Sequence, residues 1–212
     1  MNHEQTVRFL MKKHRVKHGD RKPPTMMFGK RYPYMTNLFK ELGFTTGVEI
    51  GVRGAPFSQQ MGRSMPGLKW WGIDPYCSYG HYAKRGGRCS QEAMDQFYLD
   101  ALKALAPYDC TIIREFSHVA VKRFDDDSLD FIHIDGNHEF EYAYQDIELW
   151  TEKIRPGGII SCHDYLDLYD TRSRVKSAVD KWTGEHNIFP WFIIVGSSTP
   201  TCFWVKEGKG TE

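Results

Sequence analysis

The chain predicts an α/β fold: a single three-layer α/β/α sandwich, with helices on both faces of a mostly parallel, roughly seven-stranded sheet that closes in an antiparallel hairpin. Three observations predict it. Short runs rich in Val, Ile, Phe and Trp alternate with longer segments whose apolar residues recur at helical spacing. Several of the runs stop abruptly at Gly or Asp, most plainly residues 129–138, L-D-F-I-H-I-D-G-N-H. The last two runs, 191–195 and 202–205, are joined by Gly-Ser-Ser-Thr-Pro, a hairpin spacing that turns one of them against the rest.

In order, residues 1–31 read as a basic N-terminal arm, in which Lys and Arg residues face only Glu4 and Asp20. Val7, Leu10 and Met11 give it a short apolar side, and Pro23-Pro24 breaks any helix there. It serves as a solvated arm or as a lid over an active site. Residues 32–212 form the main domain. A helix over 34–42 carries Met35, Leu38, Phe39 and Leu42 on one side, with Gly43 as its stop. A first strand over 46–52 runs into a Gly-rich turn, and a helix opens at about Pro56. A second strand, 68–73, ends in Asp74-Pro75, and residues 76–89 form a loop near the crevice. The helix over 91–105 buries Phe97, Ala101, Leu102 and Leu105; a third strand, 110–114, precedes Ser117 and a short helix through Phe124.

The fourth strand is the run through Phe131, Ile132 and Ile134. The next helix buries Phe140, Ala143, Tyr144, Ile147, Trp150 and Ile154, and Pro156-Gly157-Gly158 ends it and starts the fifth strand. Val175, Ala178, Val179 and Trp182 mark the last helix. In open α/β sheets the ligand crevice lies at the carboxyl ends of the strands. Asp135, Asn137 and His138 therefore sit where chemistry happens. If the fourth and fifth strands are neighbours, Asp135, His163 and Asp164 converge. His133 alternates to the other face and reads as a core histidine.

Hydrophobic residues at 41% and charged ones at 26% are ordinary for a globular protein, and 212 residues bury a core without staples. A net charge of +1 gives no global attraction to nucleic acid or membrane. Five cysteines without a C-x-x-C pair point to reduced thiols. A zinc group of Cys77, His81 and Cys89 lacks the usual paired spacing. No apolar run approaches the ~20 residues that span a bilayer. With no signal-peptide stretch at the N-terminus, the expected location is cytoplasmic.

Asp74 follows Gly54 by about twenty residues, the spacing at which a carboxylate meets ribose hydroxyls, although an ordinary turn Asp before Pro fits too. The turn itself is not G-x-G-x-x-G. Four segments, V-E-I-G-V-R-G-A-P-F-S, G-I-D-P-Y, S-L-D-F-I-H-I-D-G-N-H-E-F-E and R-P-G-G-I-I-S-C-H-D-Y, occur in an order that resembles class I S-adenosylmethionine-dependent methyltransferases. They look most like the methyltransferase domain 24 branch, which is similar to catechol-type and metal-dependent sugar O-methyltransferases. The resemblance covers about residues 46–205 and implies a Rossmann-like methyltransferase fold.

The resemblance further implies that Glu49 faces the methionine ammonium, that Gly51 and Gly54 let the backbone pass against the cofactor, and that Ser58 caps the helix beside it. Asp74 would take the ribose, and Ser117, with Phe116 behind it, the adenine. Asp135, His163 and Asp164 align with the divalent-metal ligands of the metal-dependent relatives, for Mg²⁺ or, with a histidine among them, Mn²⁺. His163 could instead point away and bond Asp135 or the substrate, and the carboxylates could serve without metal. His138 stands where catechol-type relatives carry a general base; it could equally cap the next helix. The acceptor implied is a small-molecule hydroxyl; nucleic acid and membrane are not expected partners, and an oligomer is open. Competing readings are an NAD-dependent oxidoreductase, an RNA or polyanion methyltransferase steered by the basic arm, and an inactive or hydroxylase-like relative.

Overall fold

A computed structural model describes residues 1–16, 24–84, 87–168, 172–196 and 199–208. The elements run α1 (His3–Lys13), β1 (Thr25–Phe28), α2 (Arg31–Glu41), β2 (Thr46–Ile50), α3 (Pro56–Ser64), β3 (Lys69–Ile73), a short α4 (Gly80–Ala83) and α5 (Gln91–Leu105). They continue with β4 (Cys110–Ile113), α6 (Ser117–Ala120), β5 (Leu129–Ile134), α7 (Phe140–Thr151), β6 (Ile154–Cys162), β7 (Asp167–Leu168), β8 (Ser173–Arg174), α8 (Val175–Glu185), β9 (Trp191–Val195) and β10 (Thr201–Val205). No helix among the described residues is long and apolar enough to cross a membrane.

The main sheet has the order β1-β9-β10-β6-β5-β2-β3-β4. Strand β10 is antiparallel to both its neighbours, and every other pairing is parallel. The α/β class and the closing hairpin follow the sequence, but the sheet has eight strands where seven are expected. The extra one is β1, which pairs from Thr25↔Phe192 to Phe28↔Val195 at the edge. Its T-M-M-F run is a strand former hidden inside a region whose charge dominates the pattern.

Residues 1–31 are accordingly built into the domain wherever they are described. Asn2 and Gln5 close a reciprocal capping box on α1. The Thr6 hydroxyl donates to the Gly157 carbonyl at 2.9 Å, and Leu10 is fully buried. Gly157 has φ +85°, and a Cβ there would fall 2.5 Å from the Met1 carbonyl, so only glycine lets the N-terminus approach so closely. Lys17, Asp20, Arg21, Lys22 and Pro23 lie outside the described residues, as does the side chain of His81.

Two apolar layers cover the sheet. On one face Phe131 stacks on Phe39, ring centres 4.0 Å apart, beneath α2. On the other, Ile132 and Ile134 meet Ile147 and Trp150 of α7 and Val179 of α8. The single run 131–134 supplies both layers because strand side chains alternate. Two expectations shift. Ile154 opens β6 rather than ending α7, so Pro156-Gly157-Gly158 lies inside the strand, where the pairing slips between Leu129 and Phe131. The Arg155 Nε–Asp130 Oδ1 pair, 2.7 Å, closes that irregularity. Leu102 is 42% exposed, so the buried stripe of α5 is Ala101 and Leu105.

Candidate active site

Three backbone hydrogen bonds continue the ladder past the strand ends: Gly51 N to Ile73 O, Asp135 N to Ile50 O and His163 N to Ile134 O, each 2.8 Å. They tie the carboxyl ends of β3, β2, β5 and β6 into one rim. Gly51, at φ +86°, sits where a Cβ would lie 2.0 Å from the Asp135 carbonyl. Glycine is required there for the rim to close. The rim opens on a cleft of about 640 Å³ lined, among others, by Glu49, Asp74, Ser117, Asp135, His138 and Asp164. The adjacency that the sequence reading depends on is therefore present.

Glu49 is 2% exposed, and one of its oxygens accepts from the Ser58 hydroxyl, which accepts in turn from the Trp70 indole N–H at 3.0 Å. Burial pushes its carboxyl up to about 8 against the opposing pull of Ser58, with the charges of Asp135 and Asp74 adding to the rise. Ser58 thus holds Glu49 rather than capping α3, whose N-cap is Ala55. Asp74 accepts from Arg53 N at 2.9 Å and Tyr76 N at 2.8 Å, one bond to each oxygen. Burial raises its carboxyl, and these N–H groups partly offset the rise. Gly54 stands outside the lining, and a Cβ on it would meet nothing nearer than Phe97 at 3.8 Å.

Past the end of β4, Ser117 donates to Asp146, and Phe116 meets Tyr79 edge-on at 5.0 Å. Asp146 is a residue the sequence reading missed. Its signal was a carboxylate falling on the buried face of α7 beside Ala143, Ile147 and Trp150. Also missed are Arg31 and Tyr32 at the start of α2, which line the cleft. The Arg31 guanidinium lies over the Tyr32 ring at 4.3 Å and donates to its hydroxyl at 2.7 Å.

The acidic end of the cleft holds Asp135, His138 and Asp164, whose ligand-type atoms lie within 4.8 Å of one another. His138 Nε2 is 3.3 Å from Asp135 Oδ1, and its Nδ1 is 3.4 Å from Asp164 Oδ2. Burial disfavours its charged form, but the Asp135 hydrogen bond and both carboxylate charges outweigh it, raising His138 above an ordinary histidine. Asp135 and Asp164 are held low: burial opposes, and the neighbouring histidines prevail. Asp164 has φ +52°, a left-handed conformation that aspartate tolerates. His163 is 2% exposed on its side chain, with Nδ1 2.5 Å from Asp164 Oδ1. The histidine between the carboxylates is therefore His138, while His163, which also lines the cleft, sits against Asp164. His133 is buried, with Nδ1 2.9 Å from Ser161 Oγ, and burial drives it down to about 3, as expected of a neutral core histidine.

No curated protein matches the chain by sequence. Among solved structures, a Staphylococcus aureus protein provisionally named a caffeoyl-CoA O-methyltransferase superposes at TM-score 0.62 and 14% identity, over 95% of this chain and 91% of its own. An O-methyltransferase from Bacillus cereus, in complex with SAH, aligns at TM-score 0.55 and 15% identity, covering 96% and 90%. The O-methyltransferase TomG of Streptomyces achromogenes, involved in tomaymycin synthesis and in complex with SAM, aligns at TM-score 0.57 and 14% identity, covering 97% and 90%. At such identities the likeness shows the fold. Residues 48–165, more than half the chain and the whole rim from Glu49 to Asp164, match the family described as methyltransferase domain (Methyltransf_24), and the chain belongs to that family.

Proposed function

We propose that the protein is an S-adenosylmethionine-dependent methyltransferase acting on a hydroxyl of a small molecule. One observation carries the reading: Glu49, Asp74 and the Asp135–His138–Asp164 group all open into a single cleft on the strand-end rim. The residues present suit the cofactor. Glu49 is a buried carboxylate held by Ser58 and lining the cleft, which fits an ammonium. Each Asp74 oxygen keeps a lone pair beyond its N–H contact, which fits two ribose hydroxyls. When bound, the cofactor supplies a methyl group already made electrophilic by its sulfonium.

The chain's own part is alignment and proton removal. Glu49 and Asp74 anchor the two ends of one ligand, fixing its length along the rim. His138 accepts the proton of the acceptor hydroxyl, and Asp135 and Asp164 orient the ring and stabilise the imidazolium that forms. The same three side chains fit a divalent ion: two hard carboxylates and an imidazole suit Mn²⁺, or Mg²⁺ with waters completing its shell. An ion held there would supply polarisation of the acceptor oxygen, and His138 would then serve as its ligand rather than as the base. His163, turned onto Asp164, is not needed as a ligand.

Radiolabelled S-adenosylmethionine, offered with a panel of phenols, catechols and sugars, should pass label to at least one acceptor. Asp135→Ala should keep S-adenosylhomocysteine affinity while turnover falls roughly 10²-fold or more. Wild-type protein that fails to bind S-adenosylhomocysteine would overturn the proposal. Turnover untouched by saturating EDTA would remove the metal and leave His138 as the working base.

A further inference from the structure

Arg31 has no part in the chemistry above, yet three contacts hold its charge in place. Its guanidinium lies over the Tyr32 ring at 4.3 Å, Nη2 donates to the Tyr32 hydroxyl at 2.7 Å, and Nη1 donates to Thr199 Oγ1 at 3.4 Å. The backbone sets up the last contact: Gly29 N bonds the Val195 carbonyl at 2.9 Å, so α2 starts beside the β9–β10 hairpin that carries Thr199. Thr199 Oγ1 lies 3.4 Å from His163 Nε2, and His163 sits against Asp164. Arg31, Thr199, His163, Asp164 and His138 thus follow one another along one side of the cleft, which all of them line. The guanidinium stands at one end of that side and His138 at the other. In the sheet order this side lies toward β10 and β6, whereas Glu49 and Asp74 belong to β2 and the end of β3. Arg31 is therefore placed for the acceptor rather than for the cofactor.

We infer that the methyl acceptor is an aromatic hydroxy acid, whose carboxylate pairs with Arg31 while its hydroxyl meets the Asp135–His138–Asp164 group. The inference rests on the methyltransferase reading above. Two hydroxyls and a ring face fix a guanidinium without cancelling its charge. The planar fork is then oriented before any ligand arrives, and a planar carboxylate matches it with two parallel bonds. The rest of this end is acidic. Asp135 and Asp164 would repel an acceptor that carried a negative group, unless a cation met that group. A neutral acceptor draws no benefit from a guanidinium placed there. The ring follows from the base: a histidine suits a phenol, whose hydroxyl titrates near about 10, better than a far less acidic alkyl alcohol.

The test is calorimetric titration of the intact chain, loaded with S-adenosylhomocysteine, so that binding is read and not turnover. The probes are ortho, meta and para hydroxybenzoate and a dihydroxybenzoate, each beside its neutral primary amide. Wild type should bind at least one acid roughly tenfold or more tightly than its amide. Arg31→Gln should shrink that preference to about twofold or reverse it, with affinity for the amide and for S-adenosylhomocysteine within about twofold of wild type. Arg31→Lys keeps the charge without the fork and should fall between. If wild type prefers no acid over its amide, or binds none of them, the inference is overturned while the methyltransferase reading stands. A preference that survives in folded Arg31→Gln overturns it too. So does an Arg31→Gln that loses S-adenosylhomocysteine affinity, which would assign the guanidinium to the cofactor. Wild type that does not bind S-adenosylhomocysteine removes the methyltransferase reading and this inference with it. If Arg31→Gln does not fold, the wild-type comparison and Arg31→Lys still decide.

Discussion

Glu49 is the residue at which stability and function pull apart. Its carboxyl, pushed up to about 8 by burial, lies well above the ~4.3 of an unfolded chain. The folded state therefore holds the proton more tightly than the unfolded one. That contribution is complete below about pH 4.3 and is lost progressively as pH rises to about 8. Glu49→Gln removes the titration but keeps the shape and the acceptor for Ser58. Relative to wild type, the variant should gain stability between pH 5 and pH 8, on the order of a few kcal/mol. Urea melts at the two pH values measure it; a difference flat across pH would sink the account. The same variant should bind S-adenosylhomocysteine at least ~10-fold more weakly, since a charge-assisted bond to the ammonium is lost. His138 sets the complementary case. His138→Asn should leave S-adenosylhomocysteine affinity within about twofold and lower turnover by roughly 10²–10⁴. A parallel loss of affinity would instead make His138 part of the cofactor wall.

Among the elements, the strand ends were the most legible part of the sequence. An apolar run that stops at Gly, Asp or His-Asp gives both the strand and the side chains at its crevice end, and β2 before Gly51, β3 before Asp74, β5 before Asp135 and β6 before His163 all read that way. Which of two histidines lies between the carboxylates was not legible. That depends on the left-handed backbone of Asp164 and on the alternation that buries His163, neither of which the pattern H-D-Y encodes. Asp146 was hidden by helical spacing, because one carboxylate inside an apolar stripe reads as noise until Ser117 is seen opposite it. The packing of the N-terminal region was not legible for a different reason: its charge is spread over the outer face of α1, while Thr6 and Leu10 make the inward contacts. If α1 is part of the core, Leu10→Ala should cost about 2–5 kcal/mol and lower Tm by roughly 5–15 °C in a chain of this size, with S-adenosylhomocysteine affinity unchanged. A drop under about 2 °C would mean that the helix rests loosely on β6.

Across the whole molecule, the cleft is walled by the ends of four neighbouring strands and by α2, α3 and α7, so whatever fills it bears on the stability of the entire sheet. A ligand that binds only the folded chain stabilises it by about 2.7 kcal/mol at a hundredfold excess over Kd. For a domain of roughly 150–250 residues each kcal/mol moves Tm by ~2–4 °C, so S-adenosylhomocysteine at that excess should raise Tm by about 5–10 °C. NAD separates the competing dehydrogenase reading. Its adenosine half fits Asp74 and Ser117 as well as the proposed cofactor does. Its pyrophosphate, however, would bring two negative charges toward a floor made of Glu49, Asp135 and Asp164, and no glycine-rich G-x-G-x-x-G turn offers it backbone N–H groups. At equal concentration NAD should move Tm by less than about 1 °C. An NAD shift as large as that of S-adenosylhomocysteine would mean that the carboxylate floor does not discriminate, and the assignment of Glu49 to an ammonium would fall with it.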